Sequence, residues 1–152
     1  MKTSGSIELL ATALSAAQGE FPKIEKNRTN SFFKSSYADL EIIIATCKPV
    51  LGKYGLAVIQ PISFHSDGFL VITTVILHKS GQWLSEELWL RPKSQDVQEI
   101  GKVITYGRRY AYQSMVGVVA EDDDDGNSAS VANAPVRTAN PAPVQKPEGK
   151  MF

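Results

Sequence analysis

Three β-rich runs joined by very short connections constrain this chain more than any other feature. Leu56–Phe64, Phe69–Lys79 and Gln82–Arg91 are dense in β-branched and aromatic residues, and only His65-Ser66-Asp67-Gly68 and Ser80-Gly81 separate them. A parallel pair needs a crossover of about a dozen residues or more, so connections this short force an antiparallel meander. Pro61 has no N–H to give a ladder, which makes the first run an edge. Phe69–Leu77 is apolar on both faces and belongs in the centre. The third run interleaves Leu84, Leu88 and Leu90 with Trp83, Glu87 and Trp89.

Helical periodicity flanks the meander on both sides. Ile7, Leu10, Leu14 and Ala17 share one face of a first helix over about Ser6–Gln18. Ser36-Tyr37-Ala38-Asp39 fits a capping box, and Tyr37, Leu40, Ile44, Cys47 and Leu51 follow at helical spacing. Pro49 should kink or end that second helix, with Gly52 and Gly55 closing it. After the strands, a long helix runs from Ser94, its expected N-cap, to about Met115. Val97, Ile100, Ile104, Ala111 and Met115 form its expected buried stripe. The expected fold is therefore α+β: a three-stranded antiparallel meander followed by a long helix (a β-β-β-α core), with two N-terminal helices and a disordered C-terminal tail. Residues 1–120 make the domain; 121–152 make an acidic run and a Pro/Ala-rich tail, whose composition cannot bury enough surface to offset chain entropy.

Sixteen Lys+Arg balance sixteen Asp+Glu, but unevenly along the chain. Residues 1–115 hold thirteen cations and ten acids, and the remainder holds three and six. A mildly basic body followed by the acid run Glu121–Asp125 suggests an electrostatic task, with the acids competing against phosphate for the basic surface. The single cysteine, Cys47, excludes an intramolecular disulfide and a thiolate zinc cluster. No run approaches the roughly 20 apolar residues of a membrane span. Leu9–Ala17 resembles the apolar core of a secretory signal, but Glu8 precedes it and only Lys2 supplies the positive start, so the chain reads as cytoplasmic.

The last helix carries the most chemistry. On a helical wheel, Gln98, Lys102, Tyr106, Arg109 and Gln113 fall opposite or flanking the apolar stripe. Cations beside an aromatic ring and amides suit a single-stranded nucleic acid, whose phosphates meet Lys/Arg while bases stack on Tyr. A solvated face is the plain alternative, and Tyr106, Tyr110 and Tyr112 count against it. Arg108 falls near the apolar stripe and must find a carboxylate, reach an edge or bind phosphate in a crevice. The loop Lys23–Tyr37 repeats the theme with Lys23, Lys26, Arg28 and Lys34 among Asn27, Asn30, Phe32, Phe33 and Tyr37.

Other chemistries lack their residues. Gly52-Lys53 has no glycine five positions earlier and no following Ser/Thr, so it is not a phosphate-binding P-loop. The acid run, set as a calcium loop with Gly126 sixth, has Ala132 where a bidentate Glu is required. His65 lies in a turn and His78 near a strand end, neither with the grouping of a metal site.

Taken together, Asn30-Ser31-Phe32-Phe33-Lys34-Ser35-Ser36-Tyr37-Ala38-Asp39-Leu40, Gly55-Leu56, Gln60-Pro61 and His78-Lys79-Ser80-Gly81 resemble the ERF (essential recombination function) superfamily. So do Gly101-Lys102-Val103-Ile104-Thr105-Tyr106-Gly107-Arg108-Arg109-Tyr110-Ala111 and Glu121-Asp122-Asp123-Asp124-Asp125-Gly126. One departure is Gly107, where similar proteins often carry alanine, and which should weaken the helix locally. The resemblance implies a phage recombinase that anneals complementary single strands without ATP, as ring or filament homo-oligomers, with no cofactor, no metal and no catalytic residue. It implies a β-β-β-α core and a bacterial host cytoplasm, with single-stranded DNA, further copies of itself and a host single-strand-binding protein as partners, and no membrane. Lys34, Tyr37, Tyr106, Arg108, Arg109 and Tyr110 match its motifs. With Arg28, Phe32 and Lys102 from the basic-aromatic patches, the expected DNA-binding set is Arg28, Phe32, Lys34, Lys102, Tyr106, Arg108, Arg109 and Tyr110; Tyr37 is left out because its wheel position buries it. Two other classes stand beside this reading. A sequence-neutral single-strand-binding protein is disfavoured by long helices around only three expected strands, against the five-stranded barrel common in that class. A metal-dependent nuclease using Asp122–Asp125 is disfavoured because consecutive acids do not easily converge on two metals.

Overall fold

A computed structural model describes residues 1–30 and 35–120. Phe32 and Lys34, the acid run and the tail expected to be disordered all lie outside the described residues. The elements in chain order are β1 (Lys2–Thr3), α1 (Glu8–Gln18), β2 (Arg28–Asn30), β3 (Ser35–Tyr37), α2 (Leu40–Lys53), β4 (Leu56–Ile59), β5 (Ile62–Phe64), β6 (Leu70–His78), β7 (Trp83–Leu90) and α3 (Val97–Val116).

The sheet has five strands rather than three, in the order β1-β7-β6-β4, with β5 also paired to β6. All pairings are antiparallel. Gly68 and Gly81 supply the positive φ (85° and 88°) of the two turns that reverse the chain. The run expected as one edge strand has a gap in its ladder at Gln60–Pro61, because proline cannot donate. Its register does not shift across the gap: Ile59 faces Val75 and Ile62 faces Ile72. The other edge is met by β1, whose Lys2 and Thr3 pair with Ser85 and Leu84. Two residues are too few for any periodicity to announce them.

The core lies between one sheet face and the helices. Leu56 and Ile76 pack with Leu10, Ala13 and Ala17 of α1, Ile43, Cys47 and Leu51 of α2, and Tyr112 and Val116 of α3. Two expectations about helix N-caps are corrected. The N-cap of α2 is Asp39, which accepts from the Ile42 N–H at 3.1 Å, because Ser36 and Tyr37 are already used in β3. Helix α2 runs through Pro49 to Lys53, so the proline does not end it. Asp96, not Ser94, caps α3, accepting from the Gln98 and Glu99 N–H groups at 2.8 and 3.2 Å. At its far end Gly117 adopts φ 77°, the left-handed closure glycine allows.

The buried face of α3 is also rotated from the expected stripe. Val97 is 82% exposed, whereas Gly107, Tyr112, Gln113 and Val116 are buried. Gly107 sits against the sheet so closely that a Cβ there would come 2.4 Å from Leu90 Cδ1 and 2.6 Å from Ile72 Cδ1. Close packing therefore explains a residue that helix propensity alone disfavours.

Candidate nucleic-acid interface

Residues 19–36 carry no periodicity, yet part of this stretch forms a hairpin. β2 and β3 pair antiparallel, placing Arg28 opposite Tyr37 and Asn30 opposite Ser35. The base of the hairpin is locked to the start of α2 through Asp39. Its carboxylate accepts from Asn27 Nδ2 at 2.8 Å and from Arg28 Nε at 3.2 Å, and its own N–H donates to Asn27 Oδ1 at 3.0 Å. The Asn27 hydrogen bond, then the Ile42 N–H and Arg28, hold the Asp39 carboxyl below its ordinary range. One further tie fixes this corner: the Ala38 N–H donates to the Ala120 carbonyl at 2.9 Å.

Helix α3 meets the hairpin here. The Arg109 guanidinium lies 4.3 Å from the Tyr37 ring centroid, 4.9 Å from Tyr110 and 5.9 Å from Tyr106. Its Nη2 donates to the Tyr110 hydroxyl at 3.1 Å, and Tyr106 and Tyr110 pack with ring centroids 4.4 Å apart. Tyr106 keeps 56% of its surface exposed. Tyr37, Asp39, Lys102, Thr105, Tyr106 and Arg109 line an open depression of about 390 Å³. Among its described lining residues the one acid, Asp39, is engaged by Arg28 and by the α2 N-terminus, and the two cations Lys102 and Arg109 line the same depression.

Two patches separate in sequence thus become one surface. Lys102, Tyr106 and Arg109 are brought together with Arg28 through Tyr37, and Tyr110 packs behind them. Tyr37 itself corrects the wheel argument that buried it: it is a strand residue, half-exposed beneath Arg109. Its signal lay in the hairpin rather than in helical spacing. Arg108 points elsewhere. Its Nε donates to Gln60 Oε1 at 3.3 Å, and it lines a separate depression with Lys48. Gln113 was expected on the binding face but is buried, its Oε1 accepting from the Ala120 N–H at 3.0 Å. Tyr112, also counted among the face's aromatics, is a core residue.

Chemically, this surface offers cations, ring faces and hydroxyls. Cys47 is fully buried and desolvation pushes its thiol up to about 11, so it is a protonated core residue and not a nucleophile at neutral pH. Among the described residues no helix is long and apolar enough to cross a membrane. The family model described as the ERF superfamily matches residues 10–149. No curated protein and no solved structure matches the chain.

Proposed function

The chain belongs to the ERF superfamily, a family of phage recombination and strand annealing, and from that membership we propose that it binds single-stranded DNA and promotes ATP-independent annealing of complementary strands. One observation supports this most: the hairpin and α3 place Tyr37, Lys102, Tyr106 and Arg109 around one open basic depression. Lys102 and Arg109 would neutralise phosphates, and the exposed Tyr106 ring would take a base face. Backbone contacts of this kind leave base edges free for the complement, which annealing requires and sequence readout does not. The protein makes and breaks no covalent bond in this scheme; it concentrates two strands and lowers their mutual repulsion.

Self-association into a ring or filament forms part of the proposal, because many weak phosphate contacts gain avidity when copies act together. The β4–β5 edge suits it: among the described strands these two pair only with β6, and Ile59 and Phe64 stand 50% and 62% exposed along it. A host single-strand-binding protein as a further partner, and the bacterial cytoplasm as the site of action, follow from the same reading.

Two assays on the full chain test it. Fluorescence anisotropy with a labelled homopolymer should show saturable, salt-sensitive binding, and a denaturing gel should show strands of unchanged length. Shortened strands would favour a nuclease. Binding that never accelerates pairing would leave only a sequence-neutral single-strand-binding protein.

A further inference from the structure

We propose that Lys48 and Arg108 form a second phosphate subsite, separate from the Tyr37–Arg109 depression, that takes a backbone phosphodiester of the bound single strand. This rests on the DNA-binding reading above. The subsite is a depression of about 340 Å³ where α2, β4 and α3 meet, and its described lining includes two cations and no carboxylate.

The guanidinium is held there by a neutral device. Arg108 Nε donates to Gln60 Oε1 at 3.3 Å. Gln60 in turn donates through Nε2 to the Arg108 carbonyl and to Thr74 Oγ1, both at 3.0 Å. Gln60 occupies the ladder gap before Pro61, where its side chain can turn inward to meet both partners. An amide orients the guanidinium without cancelling its charge. Arg108 is half-buried and has no carboxylate among its described partners, so it carries a desolvation cost that a buried arginine ordinarily offsets with an acid. An incoming phosphate would supply that missing charge and match the planar fork of donors. Lys48, exposed and without an ion pair among the described residues, adds a second cation at the rim.

The two depressions share one seam. Leu40 lines the first and Ile44 and Lys48 the second, on one face of α2; Thr105 and Arg109 line the first and Arg108 and Tyr112 the second, on α3. Leu40 to Lys48 is about 12 Å along the helix at its usual rise. A strand laid along the α2–α3 seam would meet both sets of cations. The plain role for Arg108, a half-buried arginine tied to Gln60, predicts no effect of Lys48, which hydrogen-bonds to neither.

The test is the salt dependence of oligothymidylate binding by the full-length protein and by its Lys48→Ala and Arg108→Gln variants, each checked for an unchanged melting transition. Each variant should bind more weakly, with the log–log salt slope reduced by about 0.7, the value of one lost single-strand phosphate contact. Lys48→Ala is a surface change and keeps the test valid should Arg108→Gln misfold. Wild-type binding with an undiminished slope in folded Lys48→Ala would overturn the subsite and leave the proposed function standing. Absence of wild-type binding would overturn the proposed function, and the subsite with it. Binding of inorganic phosphate or thymidine monophosphate to wild type that is lost in Lys48→Ala, while that variant keeps the wild-type oligothymidylate affinity and salt slope, would assign the subsite to a free phosphate and overturn its assignment to the strand.

Discussion

The Arg109 guanidinium stacks over the Tyr37 ring at 4.3 Å, joining the last helix to a hairpin far away in sequence. A cation over an aromatic face is attracted by the negative face of the ring's quadrupole, and contacts of this kind contribute about 0.5–2 kcal/mol. The same pair therefore does two things. It fastens the hairpin to α3, and it fixes a cation at the rim of the basic depression.

The fastening role predicts energetic coupling. Tyr37→Leu and Arg109→Met should each destabilise the fold, and the double variant should lose about 1 kcal/mol less than the sum of the singles. Urea denaturation of the four proteins measures the difference. Simple additivity would show that the stacking contributes nothing beyond burial.

The depression's exposed residues should act on DNA and not on stability. Lys102→Ala should weaken single-strand binding and lower its salt slope by about 0.7, because it removes a phosphate contact. Tyr106→Ala should lose about 1–3 kcal/mol of binding if its ring stacks a base. Unchanged affinity in both folded variants would place the DNA elsewhere.

Gly107→Ala should destabilise the protein even though alanine is the better helix former. Propensity favours alanine by about 1 kcal/mol, but the new methyl would collide with Leu90 Cδ1 and with the fully buried Ile72. Overpacking of this kind costs about 1–3 kcal/mol. A net loss of about 1 kcal/mol is expected in thermal unfolding. A rise in melting temperature would mean that the sheet yields easily beneath α3.

The sequence was most legible where local chemistry and final structure agree. The β6 and β7 segments could be read because β-branched runs bounded by glycine turns have one good solution, and Pro61 marked its own edge. The split between Arg108 and Arg109 was legible because neighbours on a helix diverge by about 100°. Tyr37 was misjudged because a helical wheel was extended back through β3, which precedes the Asp39 cap. The β2–β3 pairing involves three residues on each side, too few for alternation to stand out. Gln113 looked like a surface amide because its partner, the Ala120 N–H, lies beyond the helix end. Lys48 gave no signal at all; its place beside Arg108 arises only when α2 packs against β4 and α3.

Burial of Cys47 predicts a pH dependence. Desolvation raises the folded thiol to about 11, above the ordinary value of about 8.5 for an exposed one. The unfolded chain therefore ionises first. The contribution of Cys47 to stability is intact below about 8.5 and is lost as pH rises from there towards 11. At pH 8 a disulfide reagent should label Cys47 only as fast as the protein opens, and urea should accelerate labelling. Immediate stoichiometric labelling of the native protein would contradict its burial.

The central claim is that the protein accelerates pairing by electrostatic and stacking contacts, with base-pair free energy as the sole driving force. The measurement is the rate at which two complementary labelled oligonucleotides form duplex, with and without the protein, in EDTA and without ATP. The account predicts faster annealing with protein, an acceleration that fades as salt screens the phosphate contacts, and no duplex from non-complementary strands even though they bind. No acceleration under these conditions, or acceleration only when ATP is added, would contradict it.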